Sequence, residues 1–493
     1  MTTPERLTNQ EVERWQKRKE ALISFATLVK NASNLPNRSN HSGMLSKSNF
    51  QILVDAFISF ASAHYQFFLD GFAPGGRLQL TRTSSGVIAP TSQIKPPEGT
   101  PAAFYQDKYP PEYILRELIN RMAHDVRMLE MIANQRSLYQ SSTSIQNLLA
   151  ATFSATNNPS NAFSNPSEVL AIADALGTDA LIPNLGEPLD MIITYFERMP
   201  LARVIPYAKV GLVGIPYSAL QRPKDLLALY HEMGHGVFWN TLSKATRNEF
   251  WRAAKQRVGY VENIENPDVS NENLQKLWLS DWTEEIFADI YGILTGKLPI
   301  ADSWQEMMSQ NSDDQIWHCD NDHPMPWIRM ELYDHVLAQL NYPEQIRSAL
   351  KNKRDPRLTA SPPKPTVKVH TGLILPVQDI RTHVLAMADT ILAKIRTMVG
   401  DAYALDYQVS SEDEDYPNSA KMFRERIRLL RQKTRERLNI INQISVVTWA
   451  DWVTQHFPNL PAEGEVAYDD WFKVFFADGW TTEGPHTYPS TIP

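Results

Sequence analysis

Five consecutive residues, His231-Glu232-Met233-Gly234-His235, put two imidazoles and a carboxylate in a spacing with chemical meaning. On a helix, residues four apart lie on one face, so both imidazoles can reach one metal ion, at about 2.0–2.1 Å for zinc. Glu232 stands one position round, where a carboxylate addresses a water instead of the ion and can act as general base. The segment lies within the apolar pattern Leu226, Leu227, Leu229, Tyr230, Met233 and Val237. Histidines on a buried face need partners; two core histidines satisfied by hydrogen bonds are the plain alternative.

A catalytic zinc takes three protein ligands and keeps its fourth position open. Glu285 and Asp289 are four apart in Trp282-Thr283-Glu284-Glu285-Ile286-Phe287-Ala288-Asp289-Ile290-Tyr291-Gly292, a second helical pattern with an apolar far face. One carboxylate can bind the metal while the other accepts an imidazole N–H and fixes its tautomer; an exposed acidic face is the alternative. HExxH followed by ExxxD resembles the gluzincin branch of the zinc metallopeptidases, the thermolysin-like group. That resemblance implies one zinc per chain on His231, His235 and Glu285, with Asp289 as acceptor for a ligating imidazole and Glu232 as the base. An aspartate-ligand branch would exchange Asp289 for Glu285. The metzincin pattern is excluded, since it needs Gly and His where this chain has Phe238 and Thr241. The gap between His235 and Glu285 is longer than in thermolysin, and Ser243 to Leu277 reads as the insertion that fills it.

Further on, His323-Pro324-Met325-Pro326-Trp327-Ile328-Arg329 resembles the HPxxxxR segment of gluzincins related to the CAAX-prenyl and HtpX-type peptidases. It implies a helix opened by the prolines, His323 donating to an oxyanion and Arg329 orienting a carboxylate. A turn capped by His323 is the alternative, and Tyr333 is a weaker oxyanion candidate. The resemblance covers roughly residues 205–340. Within it, Val210 to Ile215 is expected to be an edge strand on which an extended peptide pairs, with Val213, Gly214 and Tyr217 touching substrate.

The elements that must position these groups read as mainly α (α+β): a zincin-like catalytic core with a small edge β-sheet and two active-site helices, flanked by helical regions. Ile114, Leu118, Met122, Val126 and Leu129 recur at helical spacing behind Pro110 and Pro111. The run Arg203 to Leu220 reads as one or two short strands, its prolines suiting edges. Pro223 opens the motif helix. Trp278 to Leu294 and Pro326 to Leu340 read as helices, and the Pro-rich stretch Ser361 to Pro365 as a boundary. The expected units are a mostly helical region 1–200, a catalytic core 201–358 and a helical region 366–493, with a Ser/Thr/Asn-rich loop between Gln140 and Pro166.

A chain of 493 residues with 43% hydrophobic content and net charge −8 reads as a folded protein, and the negative charge argues against nucleic acid as partner. The basic segment 421–437, with Met422, Ile427, Leu429 and Leu430 apolar, follows the acidic Ser411 to Asp415 and reads as a solvated helix face. No export signal and no apolar run of roughly 18 residues is expected to place the chain in a membrane. The single Cys319 fits a reducing compartment and equally a secreted enzyme without disulfides; a cytoplasmic location is the expectation. His318 beside Cys319 lacks the paired spacing of a structural zinc site, and His64, His124, His335 and His383 stand singly. The expected function is zinc-dependent hydrolysis of peptide bonds in a peptide or protein substrate, with a regulatory protein partner as one means of restraint. A zinc-stabilised interaction module with a vestigial site, and a hydrolase of non-peptide amides, are the alternatives.

Overall fold

The computed structural model describes residues 6–32, 47–76, 79–81, 111–141, 166–186, 189–198, 200–220, 222–261, 272, 275–320, 323–359, 365–400, 423, 426–430, 444–456 and 465–467. The loop expected between Gln140 and Pro166, the acidic stretch 411–415 and Met422 lie outside them. Helices dominate, with three small sheets.

Ile114, Leu118, Met122, Val126 and Leu129 form the buried face of one long helix. With α1 (Asn9–Ala32) and α2 (Lys47–Phe72), this helix, α3 (Pro111–Ser141), makes an N-terminal layer in which each packs on the other two. β1 (Gln79–Thr81) lies between α2 and α3 in the chain. By length and composition Asn49–Phe72 is apolar enough to cross a membrane, although polar residues interrupt its apolar run; 56% of that window is buried within this chain.

After α4 (Pro166–Asp179) come β2 (Met191–Glu197), β3 (Leu201–Val204) and β4 (Val210–Pro216), a sheet in the order β2-β4-β3. β4 runs parallel to β2 and antiparallel to β3, with Val213 opposite Thr194 on one side and Ala202 on the other. The expected edge strand is therefore the central one. β2 was the unread strand: its residues are buried on both faces, so the run MIITYFE carries no alternation to betray it. It also draws the sheet back across residue 200.

The outer side of β2 is closed by side chains. Thr178 Oγ1 accepts from Ile192 N (3.2 Å) and Asp174 Oδ1 from Thr194 N (2.6 Å), while Arg136 Nη2 donates to Thr194 O (2.7 Å). The Gln135 amide accepts from Phe196 N (2.7 Å) and donates to Phe196 O (2.9 Å), as a neighbouring strand would.

A short 3-10 turn, Pro223–Leu227, leads into α5 (Ala228–Asn240), which packs on β3 and β4. The expected insertion folds partly as α6 (Lys244–Arg257), capped by Ser243 accepting from Thr246 N; residues 262–271 are outside the described set. Then follow α7 (Trp278–Asp281), α8 (Thr283–Met308), α9 (Asp313–Ile316) and α10 (Pro326–Gln339), the last opened by Pro326 as expected. α8 lies against α5 in the most extensive helix contact among the described residues. A Cβ on Gly234 would come within 2.5 Å of Ala288 Cα, so glycine is what lets these two backbones cross so closely.

α8 is not one straight rod. Lys297 has φ 59° and ψ −148°, and Pro299 follows. A straight helix would separate Asp289 from Trp304 by about 22 Å, yet Asp289 is 2.6 Å from the Arg329 guanidinium and the Trp304 ring centroid is 4.8 Å from it. The chain therefore doubles back at Lys297, and both halves of α8 face the same guanidinium.

Past α11 (Glu344–Asn352) and α12 (Pro356–Thr359), a hairpin of β5 (Thr366–Lys368) and β6 (Ile374–Pro376) precedes α13 (Val377–Val399). α13 packs on α6, α8 and α10, so the region beyond the Pro-rich stretch lies directly on the core helices. Residues 426–430 are helical, with Phe423, Ile427 and Leu430 buried and Leu429 outside. Arg426 is not simply solvated: it donates to Thr295 O (3.1 Å) and lies over the Tyr230 ring. α14 (Trp449–His456) reaches back to α2, and β7 (Glu465–Ala467) pairs with β1.

Candidate metal centre

The α5–α8 crossing brings His231, His235 and Glu285 together, one ligand atom from each lying within 4.8 Å of the others. The two Nε2 atoms are 3.3 Å apart. His235 Nε2 is 3.2 Å from Glu285 Oε1, and His231 Nε2 is 3.5 Å from Oε2. A carboxylate stands behind each imidazole, Glu284 Oε1 hydrogen-bonded to His235 Nδ1 at 2.8 Å and Asp289 Oδ1 3.0 Å from His231 Nδ1. That arrangement turns both Nε2 atoms, rather than Nδ1, toward the common point.

Asp289 is itself fixed by three donors: Arg329 Nε to Oδ2 (2.8 Å), Arg329 Nη2 to Oδ1 (2.6 Å) and Tyr333 Oη to Oδ1 (2.8 Å). Arg329 thus orients a carboxylate. Tyr333 is buried and spends its hydroxyl proton on Asp289, which removes it as an oxyanion donor. Trp304 stands edge-on to His231, ring centroids 5.1 Å apart, and under the Arg329 guanidinium. His323 lies just ahead of α10 with Nε2 3.3 Å from Glu285 Oε1, and Asp320 accepts from its backbone N (2.6 Å) and ring Nδ1 (2.9 Å). Glu232 is half-buried, one position round α5 from His231.

Burial alone would lower the His235 pKa, but Glu285 and Glu284 hold it well above the usual imidazole value. For Glu285 burial works upward, and His323, His235 and His231 together hold it well below the usual carboxylate value. Asp289 is likewise lowered: burial is offset by Arg329 first and His231 next. Glu285 raises His323 to about 9 against the opposing effect of burial. Protons and a divalent cation would compete for those donor atoms.

Whether a metal suits these residues can be judged from Glu285 Oε2. This buried oxygen makes no hydrogen bond, its charged neighbours standing at 3.4 Å (Arg329 Nη2) and 3.5 Å (His231 Nε2). A buried charged acceptor left unsatisfied costs about 1–3 kcal/mol or more, and a cation shared with the two imidazoles removes that cost. The donor set fits a metal ion.

Comparison with known protein families, with curated proteins and with solved structures finds no match for this chain.

The substrate-contact assignment on β4 is corrected by the sheet. Val213 is 1% exposed and paired on both sides. Gly214 is packed so that a Cβ would meet Glu197 Cβ at 2.9 Å. β4 offers no open backbone to a peptide because β2 occupies one side and β3 the other. Tyr217, 50% exposed, stacks on Phe196 just past the strand. Glu284, Asp320 and Trp304 were missed. Glu284 directly precedes Glu285, and Asp320 sits three before His323, so both were visible as acids beside singled-out residues; Trp304 becomes a neighbour through the reversal at Lys297 alone. Of the single histidines, His335 pairs with Asp389 (2.7 Å) and His64 stacks on Trp449, and none belongs to the cluster.

Proposed function

We propose that this chain is a zinc metallopeptidase of the gluzincin type, with a zincin-like core formed by α5, α8 and the three-stranded sheet. The observation that carries the reading is the convergence of the His231 and His235 Nε2 atoms on the Glu285 carboxylate, each imidazole backed by a carboxylate of its own. His231, His235 and Glu285 would hold the metal, and two imidazoles with one carboxylate suit zinc with an open position. Zinc bound there supplies a lowered pKa for water, toward ~7, and polarises a carbonyl oxygen.

The chain's own groups do the rest. Glu232 takes the proton of the attacking water and passes it to the departing amine nitrogen. His323, half exposed with Nε2 3.3 Å from Glu285 Oε1, donates to the carbonyl oxygen as charge develops on it. Asp289 and Glu284 keep the imidazoles aimed, and Arg329 with Tyr333 keeps Asp289 in place.

Elemental mass spectrometry on the wild type and on Glu285→Ala, beside cleavage assays on casein, quenched peptides and non-peptide amides, tests this. About one zinc per wild-type chain, lost in Glu285→Ala, with peptide cleavage, is the expected result. A wild type without zinc, or one that cleaves only non-peptide amides, overturns it.

A further inference from the structure

The β5–β6 hairpin lies beyond the Pro-rich stretch, outside the span where sequence pattern placed any chemistry, yet its turn reaches the start of α8. His370 Nε2 is 2.8 Å from Asp281 Oδ2, and their side chains are only 8% and 16% exposed. Thr371 Oγ1 donates to Gln275 O at 2.6 Å, and Gly372, with φ +95°, supplies the left-handed turn beside it. Asp281 ends α7, and Trp282, Thr283, Glu284 and Glu285 follow directly.

A second line of contacts starts from the same hairpin. Cys319 Sγ donates to Lys368 O (3.6 Å), and Trp282 Nε1 to Asp320 O (3.2 Å). Asp320 holds the backbone and ring of His323, whose Nε2 faces Glu285. The contacts close into a ring: hairpin to α7, α7 through Trp282 to Asp320, Asp320 to His323, and Cys319 back to the hairpin. His323 and Asp320 are both about half exposed, at 47% and 54%. Packing does not fix their rotamers, so the position of His323 depends on where the backbone at 319–320 is pinned. Trp282 Nε1 and the carbonyl of Lys368 both hold that backbone, and the second is carried on the hairpin that His370 ties to Asp281 and Thr371 to Gln275.

The His370–Asp281 pair is poorly explained as a source of stability. Burial raises the Asp281 pKa despite His370 beside it, so the carboxylate is held inside at a cost that hydrophobic residues would not incur. His370 Nδ1 and Asp281 Oδ1 are both buried without a hydrogen bond.

We propose that His370 is a positioning residue for the metal centre: by gripping Asp281 it seats the hairpin against the start of α8 and so keeps Cys319 and Asp320 in place and His323 facing Glu285. This rests on the peptidase reading of the site. The test is hydrogen–deuterium exchange across 317–323, with kcat, KM and zinc content, in the full-length wild type, His370→Ala, His370→Gln and His335→Ala. Zinc stays bound in His370→Ala, since the three ligands are untouched, while kcat falls about tenfold, KM holds within about twofold and exchange across 317–323 quickens about tenfold. His370→Gln, which retains an N–H donor toward Asp281, recovers most of both losses. His335→Ala removes a similar His–Asp contact between α10 and α13 and leaves both readouts at wild-type values. If His370→Ala does not fold, His370→Asn, polar but too short to reach Asp281, replaces it.

Exchange across 317–323 as slow as in the wild type overturns the proposal. So does faster exchange with kcat intact, or equal losses in His335→Ala. A wild type with neither zinc nor turnover removes the peptidase reading and this inference with it, a result distinct from a loaded, active wild type indifferent to His370.

Discussion

Glu232 and Glu285 carry the same functional group in opposite settings. Glu285 is buried among three imidazoles that keep it ionised, whereas Glu232 is half-buried beside them on α5. The first lies within reach of both imidazole Nε2 atoms, and the second stands one position round the helix from them. Glu232→Gln should therefore bind zinc as the wild type does while turnover drops by about 10²–10⁴. Zinc content and kcat measured on one preparation check this, and full activity would exclude Glu232 from the mechanism. At this scale much of the site was legible. The spacings 231/235 and 285/289 place pairs of side chains on single helix faces, which sequence alone can state. What it could not state is which acid backs which imidazole. That depends on the angle and depth at which α5 meets α8, hence on Gly234 against Ala288, so Glu284 passed unnoticed beside Glu285.

Among the elements, α8 does most to assemble the centre, because its reversal at Lys297 returns Trp304 to His231 and Arg329. A φ of 59° with ψ near −148° is a conformation that glycine adopts freely and lysine does not. Replacing Lys297 by Ala and by Gly separates side chain from backbone: both lose the lysine stem, and only Gly relieves the strain. Lys297→Gly should be more stable than Lys297→Ala by about 1 kcal/mol in denaturant unfolding. Equal stabilities would mean that the turn is not strained. The helices themselves could be read from period and proline, as with Ile114 to Leu129 in α3 and Pro326 at the head of α10. Two features could not. β2 is buried on both faces and shows no alternation, and although Gly296 and Pro299 mark a break after Leu294, they do not say that the chain then turns back on itself and returns Trp304 to His231.

Across the molecule, the C-terminal segment ties the sheet to the first helical layer. Val447 N donates to Tyr207 O (3.0 Å), Lys209 N to Ser445 O (3.0 Å) and Ser445 N to Asp190 Oδ2 (2.6 Å). Beyond them Trp449 stacks on His64, ring centroids 4.0 Å apart, amid Phe60, Phe68 and Trp452. Burial holds the His64 pKa well below the usual imidazole value. The unfolded chain therefore takes up this proton at a higher pH than the folded one. The stability associated with a neutral His64 is whole above about pH 6.5 and is lost below it at about 1.4 kcal/mol per pH unit, until the folded-state pKa is reached. His64→Phe should remove one proton's worth of slope from unfolding free energy against pH in that window, and an unchanged slope would refute the assignment. The side chains lining β2 have a consequence of another kind. A strand edge is where chains recruit one another into cross-β polymers, and here the Gln135 amide acts as a chain terminator one residue long. Growth from that edge must wait until α3 and α4 peel away together, so aggregation through it is gated by the local opening of two helices and not by the hydrophobicity of the strand.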